Sequence, residues 1–225
     1  RGLFFDPKRK LVAKLSAAGF RVGKNLHIAL PFDNRTSRWD IARDCFQKSG
    51  DKLVFAGTAV IREFASILFA TDDRRATGGN VFFKHAPVTL AEAVMTSLCY
   101  QRGATWTLLD LVKTMSDEGA MFSCIEACPH TAHIAANYRR AQETAANVLV
   151  TIQNTIAELR QIAENWERAA HSFSISEWAY ASGSIIVLGT FPVAKSAVDA
   201  INRAIVHRAA QLLAARGDSE ERRSF

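Results

Sequence analysis

Long apolar runs are missing from this sequence. Even the uninterrupted run Ile185 to Gly189 falls far short of the roughly 20 residues that cross a bilayer. No charged-then-apolar leader opens the chain, so any membrane anchor is expected outside these 225 residues. Cysteine is scarce as well. Cys45, Cys99, Cys124 and Cys128 in a chain of ordinary core composition do not make a disulfide framework, and a reducing, cytoplasmic setting is expected. There is no G-x-x-x-x-G-K-[ST] loop, and without that glycine-rich backbone and its lysine the chain lacks this kind of phosphate cradle. No Ser, His and Asp set follows from spacing, and Gly183-Ser184 lacks the G-x-S-x-G surroundings of a nucleophile elbow, which removes hydrolase chemistry.

What is present is a globular composition, 48% hydrophobic and 22% charged, long enough for one large domain or two small ones. The net charge is +6, with much of the excess near the start in Arg1, Lys8, Arg9, Lys10, Lys14, Arg21 and Lys24. That balance suits an anionic partner such as nucleic acid or an acidic membrane surface. The chain begins at Arg1 without methionine and stops directly after a charged segment, as expected of a piece whose ends cut a larger domain.

Gly2 to Phe5 is a short apolar run ended by Asp6-Pro7, and Leu11, Val12, Leu15 and Ala18 follow at helical spacing up to Gly19. Leu26 to Leu30 offers the next strand, so strand, helix, strand predicts a parallel sheet. From Lys52 onward Val54, Ala59, Ile61, Phe64, Ala65, Leu68 and Phe69 predict a helix ending near Thr71, before the polar break Asp72 to Asn80. No strand is expected from Thr89 to about Ala170. Thr89, with Glu92 three residues on, reads as a helix cap, and Thr105 stands before Leu108, Leu109, Leu111, Val112 and Met115 in the same way. A long helix is predicted from Ala132 or Ala141 to about Ala169, with Leu149, Ile152, Ile156, Leu159, Ala163 and Trp166 as one stripe packed within its own bundle. Ser184 to Gly189 suits a strand buried on both faces, and Ala194 to Ala215 a helix. The expected fold class is α/β. Residues 1–84 and 173–225 would form an open sheet domain, interrupted over 85–172 by an all-α insertion.

One stretch has a residue order that burial of a helix or strand face does not explain. Pro31 to Asp40, Pro-Phe-Asp-Asn-Arg-Thr-Ser-Arg-Trp-Asp, leaves a strand end as a loop, the place where α/β proteins carry binding groups. Two roles fit Asp33, Arg35, Arg38, Trp39 and Asp40. A guanidinium can reach a phosphate at a subunit boundary while the tryptophan braces the loop, or aspartate and arginine can close on each other and lock the strand end to the helix beneath. Arg74-Arg75 and Tyr138-Arg139-Arg140 are candidate DNA contacts, with the tyrosine stacking on a base, and equally suit solvated helix ends. Cys124, Cys128, His130 and His133 hold four zinc-type ligands within a short span, but their spacing suits core cysteines and ordinary histidines better, and no metal is expected.

Several of these segments together resemble the type IV secretion coupling proteins, the TraD/TraG-like ATPases of conjugation. Asp6-Pro7-Lys8 is similar to that family's strand end, although Arg9 and Lys10 stand where glycine and an acid are usual. Pro31 to Asp40 resembles the pattern N-P-F-D-x-R-S-x-x-W-D-P, with Leu30, Thr36 and Ile41 as departures, and Phe173 to Trp178 resembles F-S-L-R-E-W. Arg222-Arg223-Ser224-Phe225 looks like the lead-in to the strand bearing the Walker B acid. The resemblance implies a partial RecA-like P-loop NTPase sheet with an inserted all-α domain, lying between Walker A and Walker B. It further implies ATP and Mg2+ in the complete protein, none being expected for this piece alone, and a homo-hexamer as the working motor. DNA, a relaxase or secreted protein substrate and the channel proteins are the implied partners, at the cytoplasmic face of the bacterial inner membrane, with membrane contact only through segments absent here. A non-catalytic helical module that binds a relaxase or effector protein is the alternative.

Overall fold

The computed structural model describes residues 1–49, 52–69, 81–140 and 142–221. Its centre is a three-stranded parallel sheet. Strands β1 (Gly2–Phe5) and β2 (Leu26–Ala29) flank β7 (Ile185–Leu188), with Gly2 and Leu26 both opposite Ile185. Between β1 and β2 runs α1 (Leu11–Ala17), as the apolar spacing predicts.

All four residues of β7 are buried, and the alternation of a strand divides them between two cores. Ile185 and Val187 pack with Val12, Leu26, Ile28 and Leu30 under α1. Ile186 and Leu188 face the larger core, which takes in Val198, Ile201, Ala204 and Ile205 of α10 (Lys195–Glu221). A parallel strand covered on both sides needs this continuous apolar composition.

Residues 31–40 hold more structure than the expected loop. Ser37–Trp39 forms β3, which pairs in parallel with β6 (His171–Phe173), and Ile41–Asp44 forms the short α2. The helix predicted from Lys52 begins later, because Phe46–Ser49 (β4) and Lys52–Phe55 (β5) make an antiparallel hairpin that places Val54 on a strand. The cross-strand Phe46–Phe55 ring contact at 5.8 Å helps hold that register. Helix α3 then spans Thr58–Phe69.

Helix α4 (Val81–Arg102) contains Pro87 and runs through positions 84 and 85. Thr89 therefore caps nothing. Its hydroxyl donates back to the carbonyl of His85 at 3.0 Å inside the continuing helix. Thr107 is the cap of α5 (Leu108–Ser116), not Thr105, and it forms a reciprocal capping box with Asp110. Buried Trp106, whose Nε1 donates to Cys99 Sγ at 3.3 Å, occupies the link and delays the helix start. Helices α6 (Glu118–Glu126) and α7 (Ala132–Arg140) lead to α8 (Gln142–Glu167), which starts nearer the second of the two predicted points. Ile152, Ile156, Leu159, Ala163 and Trp166 of α8 are all buried. Ser174 caps α9 (Ile175–Tyr180) by accepting from Glu177 N at 3.0 Å. Among the described residues, no helix is long and apolar enough to cross a membrane.

Candidate functional site at the carboxyl edge of the sheet

Because β1, β2 and β7 are parallel, the loops that follow them leave from one edge, the usual ligand-binding edge of open α/β sheets. Residues 6–10, 30–36 and 189–194 form these loops. The backbone N–H of Asp6 donates to Leu188 O at 2.8 Å, and Asp6 Oδ2 accepts from Leu11 N at 2.6 Å at the start of α1. A Cβ on Gly189 would lie 2.5 Å from Leu30 Cδ2 and 3.1 Å from the Asp6 carbonyl oxygen, so the loops meet only because residue 189 has no side chain. Asn202 Nδ2 holds the Gly189 carbonyl at 2.8 Å. Gly189→Ala is expected to cost about 1–3 kcal/mol, read as a lowered urea midpoint, since the buried Leu30 and a backbone atom must both move.

Arg9 and Ala194 lie in two of these loops with φ of 54° and 52°, the left-handed region that side chains other than glycine adopt at a cost. The Arg9 guanidinium sits 4.5 Å over the Phe191 ring, and Phe191 is 4.6 Å from Phe32. The three loops thus join through cation and aromatic contacts. Exposed Lys8, Arg9 and Lys10 have no ion pair among the described residues, which leaves three cations together at this edge.

Asp33 and Arg35 are brought together at the same edge. Arg35 donates through Nε and Nη2 to the two carboxylate oxygens of Asp33, at 2.9 and 2.8 Å. That bidentate bond, with a smaller contribution from the charge of Arg9, holds the Asp33 carboxyl below its usual range. Its stabilisation is complete above the ordinary carboxylate value and is lost as pH falls through the lower folded value. Arg35→Gln is expected to return the Asp33 titration toward the ordinary value, measured by NMR of the carboxyl carbon. Arg38 is shared by Asp40 at 3.4 Å and Glu167 of α8 at 3.5 Å.

Trp39 is separated from these charges because it is buried. Its Nε1 donates at 2.6 Å to Oδ2 of Asp44, which is itself fully buried. Asp44 also accepts from Ile175 N at 2.9 Å and Ser176 N at 2.7 Å, the first two N–H groups of α9. One carboxylate therefore joins the Pro31-to-Asp40 segment to the Phe173-to-Trp178 segment. Burial raises its pKa, and the three donors offset part of that effect. Asp44, Arg9 and Phe191 were not singled out by sequence. The available signal for Asp44 was an acid beside Arg43 in a short stretch, Ile41 to Cys45, whose other residues are apolar.

The other candidates lie apart. Tyr138 is 7% exposed and its hydroxyl reaches the Ala86 carbonyl at 3.5 Å, so its ring face is turned into the helices and not toward a base. Arg139 pairs with Glu126 at 3.0 Å and lies over Phe122 at 5.7 Å, while Arg140 is exposed. Arg74 and Arg75 are outside the described residues. Cys128 is buried, Cys124 meets Gln101, and His130 and His133 are exposed, His130 making an edge contact with Tyr100. Among the described residues no group of three or more His, Cys, Asp and Glu side chains is placed to hold a metal ion.

The chain is a mixed α/β protein with small parallel sheets, and its carboxyl edge is cationic and braced by aromatic rings. The family model described as the type IV secretion-system coupling protein DNA-binding domain matches residues 14–225, and the chain belongs to that family. No curated protein and no solved structure matches it.

Proposed function

We propose that this chain recruits DNA as part of an ATP-driven coupling protein that delivers it to a conjugation channel. The observation that carries this reading is the family match over residues 14–225. Lys8, Arg9 and Lys10 at the carboxyl edge support it, since exposed cations that form no ion pair among the described residues can neutralise phosphates. The motor reading adds ATP, Mg2+ and a ring of six subunits. The residues present do not fit a nucleotide-phosphate cradle, because the glycine-rich loop is lacking, so no hydrolytic step is assigned to them. Other sequence would supply that loop and the attachment to the inner membrane, on whose cytoplasmic face this part would work.

The proposed division places residues 1–84 and 173–225 in a RecA-like sheet domain and 85–172 in an all-α insertion. The joining of β1, β2 and β7 in one parallel sheet and the run of consecutive helices α5 to α8 between them in the chain support it, while α4 and β6 run across its two boundaries.

Binding of fluorescent single- and double-stranded DNA across a salt series tests the proposal. Affinity is expected to fall steeply with salt, and changing Lys8, Arg9 and Lys10 together to alanine is expected to reduce the log–log slope by roughly 2–3. Absence of binding to either DNA at low salt would refute the DNA role and leave the helical module that binds a relaxase or effector protein.

A further inference from the structure

Away from the carboxyl edge, the β4–β5 hairpin, α3, α9 and α10 enclose a cleft of about 1030 Å³, large enough for a small organic ligand. Arg208 of α10 lines it and is only 7% exposed. Its Nη2 donates to the Asp44 carbonyl at 3.3 Å and its Nη1 to Gln211 Oε1 at 3.4 Å, while its Nε has no hydrogen-bond partner. No carboxylate among the described residues is within ion-pair distance of this guanidinium. A buried cation without an anion is costly, so an incompletely paired one beside a cleft points to a missing partner.

The acids nearby are already engaged. Both oxygens of Glu63 accept from Gln211 Nε2, at 2.8 and 2.7 Å, and Glu177 pairs with Arg43 at 2.5 Å. Lys48, on the same cleft, is exposed and has no ion pair among the described residues. The walls between these charges are apolar, formed by Phe46, Leu53, Val60 and Leu212, with Tyr180 at the rim 66% exposed. Two carboxylates on the walls oppose a doubly charged phosphate more than a single carboxylate, and the planar guanidinium fork matches a carboxylate.

We propose that the cleft binds an organic monocarboxylate with an apolar body, its carboxylate on Arg208 and Lys48 and its body against Phe46, Leu53 and Leu212. The site is independent of the DNA reading, because none of these residues lies at the carboxyl edge.

Isothermal titration calorimetry of the chain with octanoate and with the acid acetyl-Leu-Phe tests it, using octanol, acetyl-Leu-Phe amide and AMP as comparisons. Saturable binding of either acid is expected, with the matching alcohol or amide weaker by at least about tenfold. Octanoate alone would identify a free carboxylic acid as the source of the ligand, and the peptide acid alone a chain terminus. Arg208→Gln is expected to abolish binding. Lys48→Ala and Tyr180→Ala, both exposed changes that leave the core intact, are expected to weaken it severalfold without altering DNA affinity. Failure of both acids to bind, equal binding of their neutral counterparts, preference for AMP, or unchanged affinity in Lys48→Ala and Tyr180→Ala would overturn the proposal.

Discussion

Asp44→Ala is expected to cost about 3–5 kcal/mol, read as a shift in the urea midpoint at constant slope. The substitution leaves Trp39 Nε1 and the N–H groups of Ile175 and Ser176 without their acceptor. Each buried donor left unpaired costs about 1–3 kcal/mol, less whatever water regains by entering the vacated volume. Against a typical total stability of about 5–15 kcal/mol, this is enough to put folding in doubt at physiological temperature. Asp44→Asn keeps one acceptor oxygen but turns an NH2 toward donors, so it is expected to fall between wild type and alanine.

The two variants also separate the effect of charge from that of hydrogen bonding. Burial raises the Asp44 pKa, so the folded state holds its proton to higher pH than the unfolded chain does. The contribution of this residue to stability is therefore greatest in acid and declines as pH rises from the ordinary carboxylate value through the raised folded one. Asp33, held low by Arg35, contributes in the opposite sense. Removing Asp44's titration with Asn should leave a pH profile that falls more steeply on the acid side than the wild type's.

Trp166→Ala is expected to cost about 3–5 kcal/mol, the range for deleting a fully enclosed large aromatic side chain. Trp166 ends the buried stripe of α8, and its Nε1 donates to Thr36 Oγ1 at 3.2 Å. The Thr36 hydroxyl donates in turn to the Ile28 carbonyl of β2 at 3.1 Å. The loss therefore empties the core and also breaks a hydrogen-bonded path from the helices to the sheet. Trp166→Phe keeps most of the volume and is expected to cost about 1–2 kcal/mol more than its lost area explains. Hydrogen exchange at Ile28 and Ala29, accelerating more than that of α5, would show the loss localised at this junction. Uniform acceleration would show that it acts only through global stability.

Sequence periodicity was most informative where a segment's own neighbours decide its structure. The apolar run Ile185 to Leu188, the α1 pattern of Leu11, Val12 and Leu15, and the α8 stripe each carry a local period that burial requires. Ser37–Trp39 carries none. Three residues form a strand there because His171–Phe173 arrives beside them from far along the chain. The hairpin before α3 was hidden because Val54 fits a helical repeat with Ala59 and Ile61, although the β-favouring Phe46, Val54 and Phe55 bracket a Gly50-Asp51 turn signal.

At the site, the polar and aromatic order of Pro31 to Asp40 drew attention to Asp33, Arg35, Arg38, Trp39 and Asp40, but residue types alone did not show that Trp39 turns inward while Arg35 stays at the surface. Asp44 could not be assigned from its own surroundings, because its partners Ile175 and Ser176 come from another segment. The close approach at Gly189 was similarly invisible, since it depends on three strands ending side by side.

The middle position of β7 also bears on how the protein is made. Both neighbours of this strand precede helices α3 to α8 in the chain, whereas β7 follows them and leaves the ribosome after all of these elements. During synthesis β1 and β2 emerge without the strand that joins them, while α4 to α8 emerge in sequence and can pack as they appear. Joining the sheet therefore depends on pairings of high sequence separation, the kind of contact that slows folding, and the facing edges of β1 and β2 stay open to other strands until β7 arrives.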